Sequence, residues 1–191
     1  MNQQNYIVIG FAVLVAALSR IIPHPDNFTA TESLAIFGAA YLTRKQYAII
    51  LPVLMMFVTD FIINNTVARS YFSQPTGLIW FSGYMLYGWL GIALTVVAGS
   101  GMLRKINVVS VAGASVSGVL IFFLVTNFGV WAGSQTVYPK DIAGLLACYT
   151  AGIPFLKSSL LSTLFFSTLL FTSFELAKKI ILKNAAVSAE K

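Results

Sequence analysis

The chain has 191 residues, of which 58% are hydrophobic and only 9% charged, with a formal net charge of +6. A soluble globule carries about 25% charged residues, so this chain cannot cover a water-facing surface, and most of its outside must face lipid. The positive charge does not point to nucleic acid, because the basic residues sit at the ends of apolar runs and not in a patch between aromatic side chains.

A spanning helix needs about 20 apolar residues. The runs are continuous and not alternating, so they read as helices and not as barrel strands. The first covers about 6–22 and carries a small-residue stripe, Ala12 and Ala16, that lets another helix approach, from a partner or from this chain. The segment before it has no Lys or Arg, so the run reads as a retained helix and not a signal peptide. Pro23 and Pro25 around His24 break it. Thr29 and Glu32 have capping-box spacing and predict a short helix over 31–42. The third helix covers 46–63, with Pro52 near its start and Asp60 near its end, and a polar loop follows to Thr76. The fourth is expected over 77–99. The fifth, over 108–131, has its own stripe of Ser110, Ala114 and Gly118. An amphipathic segment over 142–152 is expected to end at Pro154, with the sixth helix over 155–182 and a polar, frayed tail over 183–191. The expected fold is all-α and integral to the membrane: a six-transmembrane-helix bundle forming a single domain over 1–191.

Orientation follows from the basic residues. With both ends inside, the inner segments hold Arg44, Lys45, Arg104, Lys105, Lys178, Lys179, Lys183 and Lys191, while the outer ones hold Arg20, Arg69 and Lys140. The asymmetry predicts an N-in, C-in multi-pass protein of the plasma (inner) membrane, with Arg20 awkwardly placed at the outer end of the first helix.

This topology gathers the polar residues at the outer face. Asp60 is a carboxylate inside an apolar run, which marks a functional site unless it only reaches water or pairs with Arg69 or Arg20. His24, held by two prolines, is a donor, a possible metal ligand or an interfacial turn residue. Asn27, Tyr71, Tyr84, Asn127 and Trp131 are candidate ligand contacts, against the plainer roles of turn cap, helix glue and interface belt. Lys157 is a candidate counter-charge or a snorkelling side chain. Cys148 is the only cysteine and His24 the only histidine, so no disulfide and no multi-histidine metal site can form. The chain also lacks a His-Glu-x-x-His, a Gly-x-Ser-x-Gly and a phosphate-binding glycine loop. It is therefore expected not to be an enzyme, and any ATP-driven work must draw on a separate protein.

Four segments occur together: Arg20-Ile-Ile-Pro-His-Pro-Asp-Asn-Phe28, Thr59-Asp60, Thr126-Asn-Phe-Gly-Val-Trp131 and Gly144-Leu-Leu-Ala-Cys-Tyr149 with Pro154-Phe155. In these, over about residues 6–182, the chain resembles the substrate-binding S-components of energy-coupling-factor (ECF) transporters, above all the BtuM-like cobalamin S-components and their relatives. The resemblance implies an outward-facing pocket for a vitamin-like small molecule, cobalamin or another corrinoid first, taken as substrate and not as a cofactor of the chain. His24 is then a possible cobalt ligand, and His24, Asp60 and nearby aromatic residues form the pocket. It also implies that Ala12 and Ala16 dock on an ECF coupling subunit that works with ATPases. The cobalamin-binding group is similar in using a cysteine after helix 3; here that region reads Ala68-Arg-Ser-Tyr-Phe-Ser73, which excludes thiolate ligation there. Two other readings stay open: a membrane enzyme acting on a lipid or cofactor through His24, Asp60 and Lys157, and a scaffold whose stripes bind partner helices.

Overall fold

The computed structural model describes residues 3–72, 76–134 and 136–189. Six α-helices follow one another: α1 (Gln3–Ile21), α2 (Thr31–Tyr41), α3 (Lys45–Asn65), α4 (Gly83–Met102), α5 (Val108–Ala132) and α6 (Ile142–Ala189), with a 3-10 turn at Arg69–Tyr71. There is no strand among the described residues. Four helices are long and apolar enough to cross a membrane: α3, α4, α5 and α6 through Lys179. The protein is a multi-pass, all-α membrane protein. α1 adds a shorter apolar stretch, Val8–Ile21. At 11 residues, α2 is about 16 Å long at 1.5 Å per residue, half of a ~30 Å hydrocarbon core.

Three boundaries differ clearly from the sequence expectation. α4 starts at Gly83 and not at residue 77. The Asn65 side chain explains this, since it bonds both the backbone N–H (2.9 Å) and the carbonyl (3.0 Å) of Ile79 and holds that stretch extended. α6 starts at Ile142 and runs through Pro154 without a break. The Asp141 carboxylate accepts from the Gly144 N–H at 2.7 Å and caps the first turn. Pro154 lies on the exposed side of the helix, where apolar packing of the rest of α6 outweighs one lost backbone bond. The same helix extends through most of the expected tail, to Ala189. The side chain of Lys183, and the whole of Lys191, lie outside the described residues.

The helices run alternately up and down. Thr95 of α4 bonds the Gly118 carbonyl of α5 at 3.2 Å, and a Cβ on Gly129 would meet the Tyr87 ring. These contacts fix α4 and α5 as antiparallel. Tyr149 of α6 donates to the Leu124 carbonyl, and Ser115 donates to Ser167, so α5 and α6 are antiparallel too. The central element is the shortest one. α2 packs against each of the other five helices, and nine of its eleven residues are buried. Its all-round burial explains why it carries no amphipathic stripe. Phe37 and Tyr41 pack edge and tilted against Phe171 and Phe174 of α6 and fill one end of the bundle. That end also carries the turns with Arg44, Lys45, Arg104 and Lys105.

Candidate functional site

The other end of the bundle is open. There the chain between α1 and α2 dips inward, and several features hold it. Phe28 packs on the rings of Phe165 and Phe166, Ser162 donates to the Asn27 carbonyl at 3.4 Å, and Ala30 N–H donates to Ser19 Oγ at 2.9 Å. Asn27 itself adopts a left-handed backbone, φ 57°, which asparagine tolerates better than most residues. The expected capping box at Thr29 does not form. Ala30 occupies the cap position with no side-chain bond, and Thr29 Oγ1 instead lies 3.2 Å from Thr31 Oγ1. Glu32 is thereby released from any capping role.

Between this segment and the ends of α1, α3, α4, α5 and α6 lies a cavity of about 360 Å³. Its polar wall is Arg20, Asn27, Thr29, Thr31, Glu32 and Asp60, with His24 and Tyr84 at the rim. Met56, Met85 and Phe122 supply apolar surface. Arg20 explains its own odd position. Its Nε donates to Thr59 Oγ1 at 2.8 Å, and its guanidinium forms an ion pair with Asp60. The side chains of Arg20 and Asp60 are 16% and 4% exposed, so the pair is held nearly out of water. Asp60 Oδ2 has no hydrogen-bond partner among the described residues. Tyr84 donates to Asn64, a fully buried side chain, which anchors the rim of α4 to α3. His24 Nδ1 lies 2.7 Å from the Pro25 carbonyl.

The structure therefore brings together His24, Asn27, Asp60 and Tyr84 of the candidates. The others stand elsewhere. Tyr71 is 82% exposed on the 3-10 turn. Asn127 bonds the Phe123 carbonyl in its own helix and fits against Gly152, where a Cβ would come 2.6 Å from its Oδ1, so it is an α5–α6 packing residue. Trp131 Nε1 donates to the Pro139 carbonyl at 2.8 Å, and Lys140 bonds the carbonyls of Trp131 and Gly133. Together they tie down the α5–α6 loop. Lys157 is exposed on α6 away from the cavity, so an acid–base set of His24, Asp60 and Lys157 is not assembled. Ala12 and Ala16 are 1% and 0% exposed, inside the core of the chain itself. Their stripe serves internal packing and is not available to a partner. The second stripe is likewise internal at Ala114 and Gly118, the latter against Thr95 and Ile36. Cys148 is buried, its Sγ 3.4 Å from the Asn127 carbonyl.

A family model described as a family of unknown function (DUF6580) matches residues 1–186. The chain belongs to that family. No curated protein and no solved structure matches it.

Two charged cavity residues of this DUF6580 chain, Arg20 and Glu32, are not among the ligand contacts that its sequence suggests. Arg20 looked like a charge on the wrong side of the topology, and its spacing to Asp60, 40 residues on, carries no local signal. Glu32 looked like a capping residue. Its signal was present in another form: an acid inside a run whose other ten residues are uncharged. Among the described residues no group of three or more His, Cys, Asp or Glu side chains could hold a metal ion.

Proposed function

We propose that this protein is a substrate-capturing membrane subunit that binds a vitamin-like small molecule in the cavity beside Arg20 and Asp60. The observation that carries the reading is the cavity itself: a pocket of about 360 Å³, with a buried ion pair in its wall, at the bundle end opposite the basic turns. Ionisable groups held at membrane depth mark substrate sites by default, and about 300–1,000 Å³ is the usual range for small-molecule pockets. A corrinoid, a tetrapyrrole-sized ring with a nucleotide tail, exceeds this volume, which favours a smaller cargo than cobalamin.

The positive-inside rule places the end with Arg44, Lys45, Arg104 and Lys105 in the cytoplasm and opens the cavity outward across the plasma membrane, with both termini inside. α1 and α2 then complete the six-helix arrangement, α2 as a short central segment shielded by the other five. The resemblance to ECF S-components fits this geometry. In that reading the chain is not catalytic, and release of the cargo draws on a separate coupling subunit with ATPases. The docking surface for such a subunit lies elsewhere than Ala12 and Ala16.

The test is binding by the purified protein across a panel of vitamins and their precursors, read by native mass spectrometry. At least one compound should bind with 1:1 stoichiometry, and Asp60→Ala should weaken it by about tenfold or more, since a hydrogen bond involving a charged group is at stake. Silence across the panel sinks the reading.

A further inference from the structure

We propose that the ligand of this cavity is an organic cation and that Glu32 reads its charge; the inference rests on the capture reading above. The ionisable groups in the lining are Arg20, His24, Glu32 and Asp60, with the Tyr84 phenol beside them. Arg20 and Asp60 are committed to each other. Glu32 is left over, in the first turn of α2 and only 3% exposed. Its carboxylate is bonded to its own backbone N–H and feels the nearby Arg20 charge, but no side chain among the described residues hydrogen-bonds it. Arg20, already paired, is the one Lys or Arg side chain in the lining.

A helix N-terminus favours an acid in its first turn, but that preference is met equally well by a side chain turned to water. Glu32 is turned instead into a cavity beneath the membrane-embedded helix ends. Two carboxylates, Glu32 and Asp60, then share one guanidinium in the lining; uncompensated charge at this depth is costly, and a positively charged ligand group balances it. The surroundings suit an amphipathic cation. Thr29, Thr31 and Ser159 offer hydroxyl acceptors for its remaining N–H groups, while Met56, Met85 and Phe122 line an apolar body. Phe122 and Tyr84 also place aromatic rings in the lining, and aromatic rings attract cations. An anion meets the opposite situation, two carboxylates and a guanidinium already neutralised.

The probes are benzamidine, benzamide and benzoate, which share one ring and differ in charge, applied to the full-length protein in lipid nanodiscs. Benzamidine should bind about ten- to hundredfold tighter than benzamide, the span expected for a charge-assisted hydrogen bond, and benzoate weakest of the three. Glu32→Gln, which keeps the shape, should bring the benzamidine-to-benzamide ratio to about one, and Glu32→Asp should preserve a preference. A vitamin from the panel that is cationic and loses affinity in Glu32→Gln supports the assignment equally. Benzamide or benzoate binding as well as benzamidine, a ratio unchanged by Glu32→Gln, or a panel ligand that is neutral or anionic overturns the charge assignment and leaves the capture reading standing. Silence of both probes and panel overturns the two together.

Discussion

Arg20 and Asp60 show what a buried ion pair does in this protein. Neither residue is tolerable alone at its depth, and together they join α1 to α3 across 40 residues of chain. Breaking a buried pair from one side strands a charge, which costs about 3–5 kcal/mol. Arg20→Met is therefore expected to lower thermal stability strongly, read as the midpoint of unfolding in detergent. The double variant Arg20→Met, Asp60→Leu should recover most of the loss, because no charge remains unpaired. Equal damage in the single and double variants would show that the pair is not what holds α1 in place. Thr59, which accepts from Arg20 and donates to the Met55 and Met56 carbonyls, sets the guanidinium's angle, so the pair also fixes the shape of the cavity wall.

Among the elements, α5 and α6 approach closely near the cavity end. Gly152 faces Asn127 and the Phe123 ring at distances that leave no room for a side chain. Gly152→Leu should destabilise by about 1–3 kcal/mol through overpacking, while Gly10→Leu, with open space around it, should change little. Comparison of the two melting midpoints checks it. The helices were mostly legible in the sequence because lipid demands long apolar runs and loops break them. What was not legible depended on pairs remote in sequence. Asn65 holding Ile79 delayed α4, Asp141 capping α6 carried that helix through Pro154, and the burial of Ala12 and Ala16 depended on which neighbour covered α1. Of the site, Asp60, His24, Asn27 and Tyr84 could be read from the polarity that the sequence gathers at one end of the bundle. Asn127, Trp131 and Lys157 share that polarity but spend it on packing, loop ties and solvent, and a sequence carries no sign of which way a side chain turns.

For the molecule as a whole, the separation of a cavity end from a basic end makes orientation measurable. Cys148 is buried, so the native chain is a nearly silent background for thiol labelling. Lys105→Cys should react with a membrane-impermeant maleimide only after the membrane is opened, and Val137→Cys, at an 89% exposed position, should react from outside intact cells. Labelling of both from the same side would overturn the orientation proposed here.

The length and surroundings of α2 bear on how the chain enters the bilayer. A helix half the thickness of the hydrocarbon core, with an acid in its first turn, has little affinity for lipid of its own. Its neighbours supply the surface that holds it. In the six-helix arrangement proposed above, α2 enters the membrane only once α3 and α4 have been synthesised and can close around it. On that arrangement the segment would wait during biogenesis, beside the insertion machinery or at the interface, and the cavity would take shape last, as the later helices fold the segment into the centre.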